Sequence, residues 1–127
     1  MSNTFRTPLA VIAATAWIAT SEFVPNQFLL QEHWVGHYAT LGLTFPAEPL
    51  NGAVWGLWSL FLAAAIAVIA RRFNFQETVA LAWLMGFVLM WLVIGNLGVL
   101  PVAILSIAIP LSLLEVIVAT WIIRKLR

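Results

Sequence analysis

Long apolar runs, separated by shorter polar connections, form the dominant pattern along the chain. Four of these runs have the roughly 17–25 predominantly apolar residues that a helix needs to cross a bilayer. They cover about 8–24, 52–70, 78–97 and 100–123. The pattern predicts an all-α fold, a polytopic membrane four-helix bundle, with residues 1–127 in one integral membrane domain.

The connections between the last three runs are short. Residues 71–77 form a polar turn, and residues 96–101 contain a glycine and a proline, which are typical of a helix end and a new start. A short connection leaves consecutive helices side by side and antiparallel. We therefore expect the second, third and fourth helices to pack as an up-and-down series.

The segment between the first two runs, residues 25–51, has a different pattern. Apolar and aromatic side chains recur at helical spacing over its first part, at Leu30, Trp34, Tyr38 and Leu41. We expect an amphipathic helix over about Asn26 to Leu41, lying at the outer membrane interface and continuing the first helix through a bend at Pro25. The prolines that follow favour an extended return to the second span.

Composition and charge support the membrane assignment and orient it. The chain is 63% hydrophobic and 9% charged, whereas soluble domains are ~45–50% apolar and ~25% charged. With four spans, all Lys and Arg residues lie on one side: Arg6, Arg71, Arg72, Arg124, Lys125 and Arg127. Since positive residues concentrate on the cytoplasmic side, we expect a multi-pass protein of the bacterial cytoplasmic (inner) membrane with both termini in the cytoplasm.

An alternative interpretation makes residues 1–21 a cleaved signal peptide. Arg6 precedes an apolar run over 9–19, and the small residues at 19–21 are typical of a cleavage site. Pro8 at the front of the run is better suited to the first turn of a lasting helix, so we expect the first span to be retained.

Glu115 is a single carboxylate inside the fourth apolar run. It lies nine residues before Arg124, which at ~1.5 Å per residue is about 13 Å inside the cytoplasmic boundary. An ionised acid at this depth is costly, so its side chain is expected to face the bundle interior and to have polar partners. Predicted partners are Ser112, one turn earlier, and the indole N–H of Trp83 on the preceding helix. Further candidates on the first helix are Thr15 and Trp17.

Two functions of Glu115 are open at this point. A membrane-buried Glu is characteristic of proton-coupled transport and of cation binding. It can also stay protonated and hold helices together as a hydrogen-bond donor.

A second carboxylate, Glu22, lies near the outer end of the first helix. Topology places it at a depth similar to that of Asn51 and Asn96. These three side chains are predicted to form a polar cluster at the outer mouth of the bundle. The alternative is that they cap helix ends and are exposed at the interface.

His33 and His37 are four residues apart on one face of the outer helical segment. Two imidazoles at this spacing can share a zinc ion with a carboxylate such as Glu32 or Glu48. The HExxH pattern and a second ligand pair are missing from the sequence. Packing at the interface is therefore the favoured interpretation, and no metal is assigned.

Small residues recur along the second span. A GxxxG pattern at Gly52 and Gly56 is continued by Ala63 and Ala67. Such a stripe lets another backbone approach closely. An internal helix contact is the favoured interpretation, and a dimer face is the alternative.

The sequence lacks the features that several kinds of function require. The net charge is +1 and no basic patch with interleaved aromatics occurs, which argues against nucleic acid as a partner. The chain has no Cys, no P-loop, no GxSxG and no dinucleotide fingerprint. We therefore expect no enzyme activity and no cofactor.

Four stretches carry a resemblance to known proteins: NGAVWGLW at 51–58, RRF at 71–73, GFVLMWLVIGNLGVLP at 86–101 and IPLSLLE at 109–115. From about Glu22 onward the chain resembles a group of small uncharacterised bacterial four-helix membrane proteins, a likeness that implies the same fold and no particular activity. In size and helix count the chain is also similar to small multidrug-resistance transporters. Their essential Glu lies in the middle of the first helix, whereas Glu22 is near a helix end and Glu115 is in the fourth helix.

These features favour a small integral membrane protein that binds or transports a small solute, with Glu115 as the group that gains and loses a proton. The alternative is an interaction or scaffold subunit. It would pack against a larger membrane protein, or against further copies of itself, through the small-residue face of the second span. The lipid bilayer is the partner that both hypotheses share.

Overall fold

The computed structural model describes residues 3–127, with side chains from residue 6 onward; residues 1 and 2 of the expected single domain lie outside the described part. The described chain is helical and has no strand. Its helices are α1 Asn3–Phe28, α2 Gln31–Thr40, α3 Pro49–Ile69, α4 Phe75–Asn96 and α5 Leu105–Leu126. All except α2 belong to segments that are long and apolar enough to cross a membrane. The predicted all-α fold with four spanning helices is therefore confirmed.

The four long helices pack as a bundle in which α1 lies between α3 and α5. α4 closes the ring by contacting both α5 and α3. The core consists of small and branched side chains, and on α1 these are Ala10, Ala14 and Ile18, at a spacing of four residues. Small side chains let helix backbones approach closely, which is how bundles pack in lipid.

The last three long helices are antiparallel neighbours, as their short connections predict. A short turn joins α3 to α4, and the two helices meet again at Trp58 and Phe87, whose ring centroids are 5.6 Å apart. Asn74 caps the start of α4 by accepting a hydrogen bond from the Glu77 backbone N–H at 2.8 Å. Gly98 ends the same helix with a φ of 79°, a backbone conformation that favours glycine.

The outer helix α2 lies against the connection between α4 and α5. At its start, Leu30 is buried in an apolar cluster with Leu100 and Ile104. Trp34 stacks on Phe45 of the return segment, with ring centroids 5.6 Å apart. The predicted apolar stripe therefore packs at its first positions, whereas its last member, Leu41, is 44% exposed.

Two helix ends differ from the sequence-based boundaries. α1 does not end at Pro25 but continues to Phe28, and the Pro25 carbonyl accepts the N–H groups of Leu29 and Leu30 at 2.8 and 2.9 Å. α5 begins only at Leu105, after a 3-10 turn, instead of near residue 100. With these bounds, Glu22 lies six residues before the end of α1, and Glu115 lies ten residues after the start of α5.

The positively charged residues collect at one end of the bundle. Arg127 Nη2 donates to the Ala70 carbonyl at 2.9 Å, and Arg124 Nη1 donates to the Phe73 carbonyl at 3.3 Å. Both carbonyls lie at the end of α3 or just beyond it, where the last backbone acceptors of a helix lack partners. The start of α1 reaches the same end, since Thr7 and Arg127 line one cavity. This end, with the six Lys and Arg residues of the chain, is called the basic end below.

Candidate functional site

Glu115 lies near the middle of α5 and is 1% exposed, so its carboxyl group is enclosed by the bundle. Facing it from α1 is the carboxyl group of Glu22, which lies within hydrogen-bonding range. The Ser21 hydroxyl lies beside the Glu115 carboxyl. We call Glu22 and Glu115 the carboxyl pair.

A direct hydrogen bond between the two carboxyl groups would require a proton. Ionised carboxylates only accept hydrogen bonds, so two of them can be hydrogen-bonded to each other only when one carries a proton. Glu115 Oε2 is buried and has no hydrogen-bond partner among the described residues. A proton on one of the two carboxyl groups would let them bind each other directly, in addition to the donors of Ser21 and Asn26.

Polar side chains connect the carboxyl pair to the outer helix. Asn26, one helical turn beyond Glu22, donates from Nδ2 to the Glu22 carbonyl at 2.8 Å and lies 3.5 Å from its Oε2 atom. The indole N–H of Trp34 on α2 donates to Asn26 Oδ1 at 3.1 Å. Movement of α2 would therefore act on Asn26 and, through it, on Glu22.

Two tryptophans fix α5 near Glu115. Trp17 Nε1 of α1 donates to the backbone carbonyl of Glu115 at 2.9 Å. From the other side, Trp83 Nε1 of α4 donates to Ser112 Oγ, also at 2.9 Å. The predicted partners Trp83 and Ser112 thus bind each other, and neither donates to the Glu115 carboxyl. They determine the position of α5 and thereby that of the carboxyl group.

The predicted outer cluster of Glu22, Asn51 and Asn96 does not form. Asn51 Oδ1 accepts from the Glu48 backbone N–H at 2.9 Å, in a capping box at the start of α3. Asn96 is exposed in the last turn of α4. Glu22 instead turns toward Glu115, because it continues the core-facing stripe of α1, four residues after Ile18 and eight after Ala14.

The histidines do not form a metal site. His37 Nε2 lies 2.7 Å from the Gly98 carbonyl and so fastens α2 to the end of α4. His33 is exposed. Within residues 3–127, no three His, Cys, Asp or Glu side chains are grouped in a way that could hold a metal ion.

The small-residue stripe of α3 divides into two parts. Ala63 and Ala67 are buried in the core, in agreement with an internal helix contact. Gly52 and Gly56 are different, since a Cβ atom built on either would meet nothing within 4 Å. The expectation of an internal contact is therefore wrong for the glycines. The helices converge toward the alanines and leave the outer part of α3 uncovered by the described chain.

Sequence reasoning missed Ser21 and Asn26 as members of the site. Asn26 follows Glu22 by four residues, a spacing that places two side chains on the same face of a helix. This spacing is visible in the sequence, but the predicted first span ends at about residue 24 and the chain is expected to bend at Pro25. A proline inside a membrane span is tolerated when other groups satisfy the freed backbone atoms.

Two cavities open on the bundle surface, with volumes of about 520 and 210 Å³. The larger lies at the basic end, and the smaller lies between α3 and α4. Glu22 and Glu115 line neither of them.

Comparison of the chain with protein-family models, with curated proteins and with solved structures gives no match. The class of protein therefore follows from fold and site alone. The chain is a multi-pass membrane helix bundle that contains a carboxyl pair, with Glu115 buried and Glu22 half-buried.

Proposed function

We propose that the protein binds a proton at the carboxyl pair and couples its release to the binding or movement of a small solute. The observation that carries the proposal is the approach of Glu22 to Glu115 inside a bundle of membrane-spanning helices. Carboxylic side chains are expensive to bury in lipid, and where they occur they usually take part in proton relays or ion pathways. The proposal assigns no catalysed reaction and no cofactor.

A proton is the species that two facing carboxyl groups can hold directly between them. Glu22 and Glu115 are not among the lining residues of the two cavities described above. The link to the outside consists of Asn26 and Trp34, which connect Glu22 to α2. In this scheme a solute is admitted when α2 moves away from the bundle, and that movement changes the hydrogen bonds of the carboxyl pair.

Infrared difference spectroscopy of the protein in nanodiscs, recorded between acid and alkaline pH, tests the first step. We expect a C=O band of a buried carboxylic acid that disappears in Glu115→Gln and shifts or disappears in Glu22→Gln. Glu32→Gln is the matched control, since Glu32 is exposed on α2. A band that persists unchanged in both Glu115→Gln and Glu22→Gln would overturn the proposal.

Proteoliposomes loaded with a pH-sensitive dye test the coupling. Panels of small organic cations, organic anions and neutral solutes are added outside, and proton movement is recorded. We expect at least one class to drive proton movement through the wild type and not through Glu115→Gln. Proton binding without any coupled flux would restrict Glu115 to a structural role.

We further propose that the protein lies in the bacterial cytoplasmic membrane with both termini inside. The grouping of the Lys and Arg residues at one end supports this orientation. The chain has no Cys, so single cysteines can be labelled without background. A membrane-impermeant maleimide applied to spheroplasts should label Ala47→Cys and leave Gln76→Cys unlabelled until the membrane is opened. The reverse pattern would invert the topology.

A second candidate function is that of a subunit docking on another membrane protein. The uncovered outer part of α3 favours it, because Gly52 and Gly56 offer a flat surface to a neighbouring helix. Co-purification of a partner that is lost in Gly56→Leu and kept in Glu115→Gln would support this function over the first.

A further inference from the structure

A cavity of about 520 Å³ lies at the basic end, far from the carboxyl pair. It is lined by Thr7 at the start of α1, Ala67 near the end of α3, Arg71 just after α3, and Arg127 after α5. Three separate parts of the chain thus contribute to one opening. Its lining residues include two arginines and a threonine, whose side chains carry hydrogen-bond donors.

The Arg127 guanidinium group is fixed in place but not fully used. Its Nη2 atom donates to the Ala70 carbonyl at 2.9 Å. Its Nη1 atom is buried and has no hydrogen-bond partner among the described residues. A buried donor without an acceptor is unfavourable, so the Arg127 guanidinium group has hydrogen-bonding capacity that the described chain does not satisfy.

The charge around the cavity selects an anion. Arg72, Arg124 and Lys125 lie on the same end of the bundle as the two lining arginines. Glu77 is the acidic residue nearest in sequence to Arg71 and Arg72. Its carboxylate is already hydrogen-bonded, since Glu77 Oε2 accepts from the Asn74 backbone N–H at 3.0 Å. Two arginines that converge on one opening match the several oxygens of a phosphate group better than a single carboxylate.

We propose that this cavity binds a phosphate group. It lies where the spanning helices end, which is the level of lipid headgroups. Basic pockets between membrane helices are known to take up such headgroups. The phosphate would belong to an anionic phospholipid or would be free phosphate from the aqueous side. The inference does not depend on the proposed role of the carboxyl pair.

Native mass spectrometry of the purified protein tests the inference, with phosphatidylglycerol as the anionic lipid and phosphatidylcholine as the zwitterionic reference. We expect Arg71→Gln and Arg127→Gln to weaken phosphatidylglycerol binding by about tenfold each, the effect of losing one charge-assisted hydrogen bond. Arg72→Gln and Lys125→Gln are matched controls. They remove the same charge from the basic end and do not line the cavity.

The outcomes separate the two sources of phosphate. If inorganic phosphate displaces phosphatidylglycerol and its own binding depends on Arg71 and Arg127, the site takes free phosphate. If only the lipid binds in this way, the site is for a headgroup. Equal weakening in the lining variants and the controls would overturn the inference, because binding would then follow charge alone. Arg71→Gln keeps the hydrogen bond from Arg127 to Ala70, so its loss of binding would not reflect a folding defect.

Discussion

Glu22 of α1 and Glu115 of α5 bring their carboxyl groups within hydrogen-bonding range of each other inside the bundle. The two helices are the first and last long elements of the chain, and they share an extensive interface. A proton held between these side chains, as proposed above, would therefore also join α1 to α5. Its removal should weaken the contact between α1 and α5.

The first prediction concerns the pH dependence of stability. In the unfolded chain, glutamates are exposed and lose their protons above a pH of ~4.3. If the folded chain retains a proton on the carboxyl pair, as proposed above, the unfolded state binds fewer protons than the folded state above this pH. Stability must then fall as pH rises. Thermal unfolding in nanodiscs between pH 5 and pH 9 should show a decline in wild-type Tm, and a smaller one in Glu115→Gln.

The control for this prediction is Glu32→Gln, which removes an exposed carboxylate from α2. It should retain the wild-type slope of Tm against pH. In Glu115→Gln the amide can donate to Glu22 without a titrating proton, which is why the slope should flatten. Parallel curves for the wild type and Glu115→Gln would show that no proton is held between the two carboxyl groups.

The sequence was sufficient to predict the class of fold. Apolar spans and short connections predict the number, order and antiparallel arrangement of the long helices. They do so because a helix in lipid must be long and hydrophobic enough to cross the bilayer. The outer helix was also predictable from Leu30, Trp34 and Tyr38, which share one face. Local patterns of this kind need no knowledge of tertiary contacts.

The carboxyl pair was not predictable in the same way. Its geometry depends on where α1 and α5 end, and Pro25 is compatible both with a helix end and with a helix that continues. The approach of Glu22 to Glu115 also depends on how α1 and α5 are placed along the bundle axis, which the apolar spans alone do not determine. The open space beside Gly52 and Gly56 was also not predictable from the sequence. A stripe of small residues does not show which part of it another helix covers.

A second prediction concerns the hydrogen bond between Trp83 and Ser112. Ser112→Ala leaves the indole N–H of Trp83 without an acceptor in the bundle, which should cost about 1–3 kcal/mol. Trp83→Phe leaves the Ser112 hydroxyl bonded to the Ile109 carbonyl at 2.9 Å. The hydrogen-bond loss in this second variant should therefore be smaller, about 1 kcal/mol, before the change in ring size is added.

A double-mutant cycle separates these contributions. Unfolding is measured for the two single variants and for the double variant, with Ser106→Ala as an exposed control expected to lie within about 0.5 kcal/mol of the wild type. A positive coupling between Trp83 and Ser112 is expected. Purely additive effects would mean that the hydrogen bond contributes nothing to the position of α5.

A third prediction concerns the attachment of the outer helix. Trp34→Phe keeps an aromatic ring against Phe45 and removes the N–H that binds Asn26. We expect faster hydrogen exchange across α2, corresponding to a loss of about 1 kcal/mol in local stability. Trp121→Phe is the control, since Trp121 is exposed on α5. Unchanged exchange in α2 would show that the Asn26 contact does not hold this helix.

The fourth prediction compares Gly56 of α3 with Gly86 of α4. A Cβ atom on Gly86 would come within 3.2 Å of a Leu62 side-chain carbon, whereas a Cβ atom on Gly56 would meet nothing within 4 Å. Gly86→Leu should therefore overpack the contact between α3 and α4 and cost about 1–3 kcal/mol. Gly56→Leu should leave the stability of the isolated chain within about 0.5 kcal/mol of the wild type.

The same two variants also test whether the chain associates with a partner through the outer part of α3. If Gly56 lies against a second copy or a larger membrane protein, Gly56→Leu will reduce the mass of the complex measured by light scattering while Tm is unchanged. Gly86→Leu will lower Tm and leave the mass as it is, as long as the chain is folded. A wild-type mass equal to one chain, unaltered by Gly56→Leu, would leave the outer part of α3 facing lipid. The open glycine surface would then be a feature of the bundle that no protein partner uses.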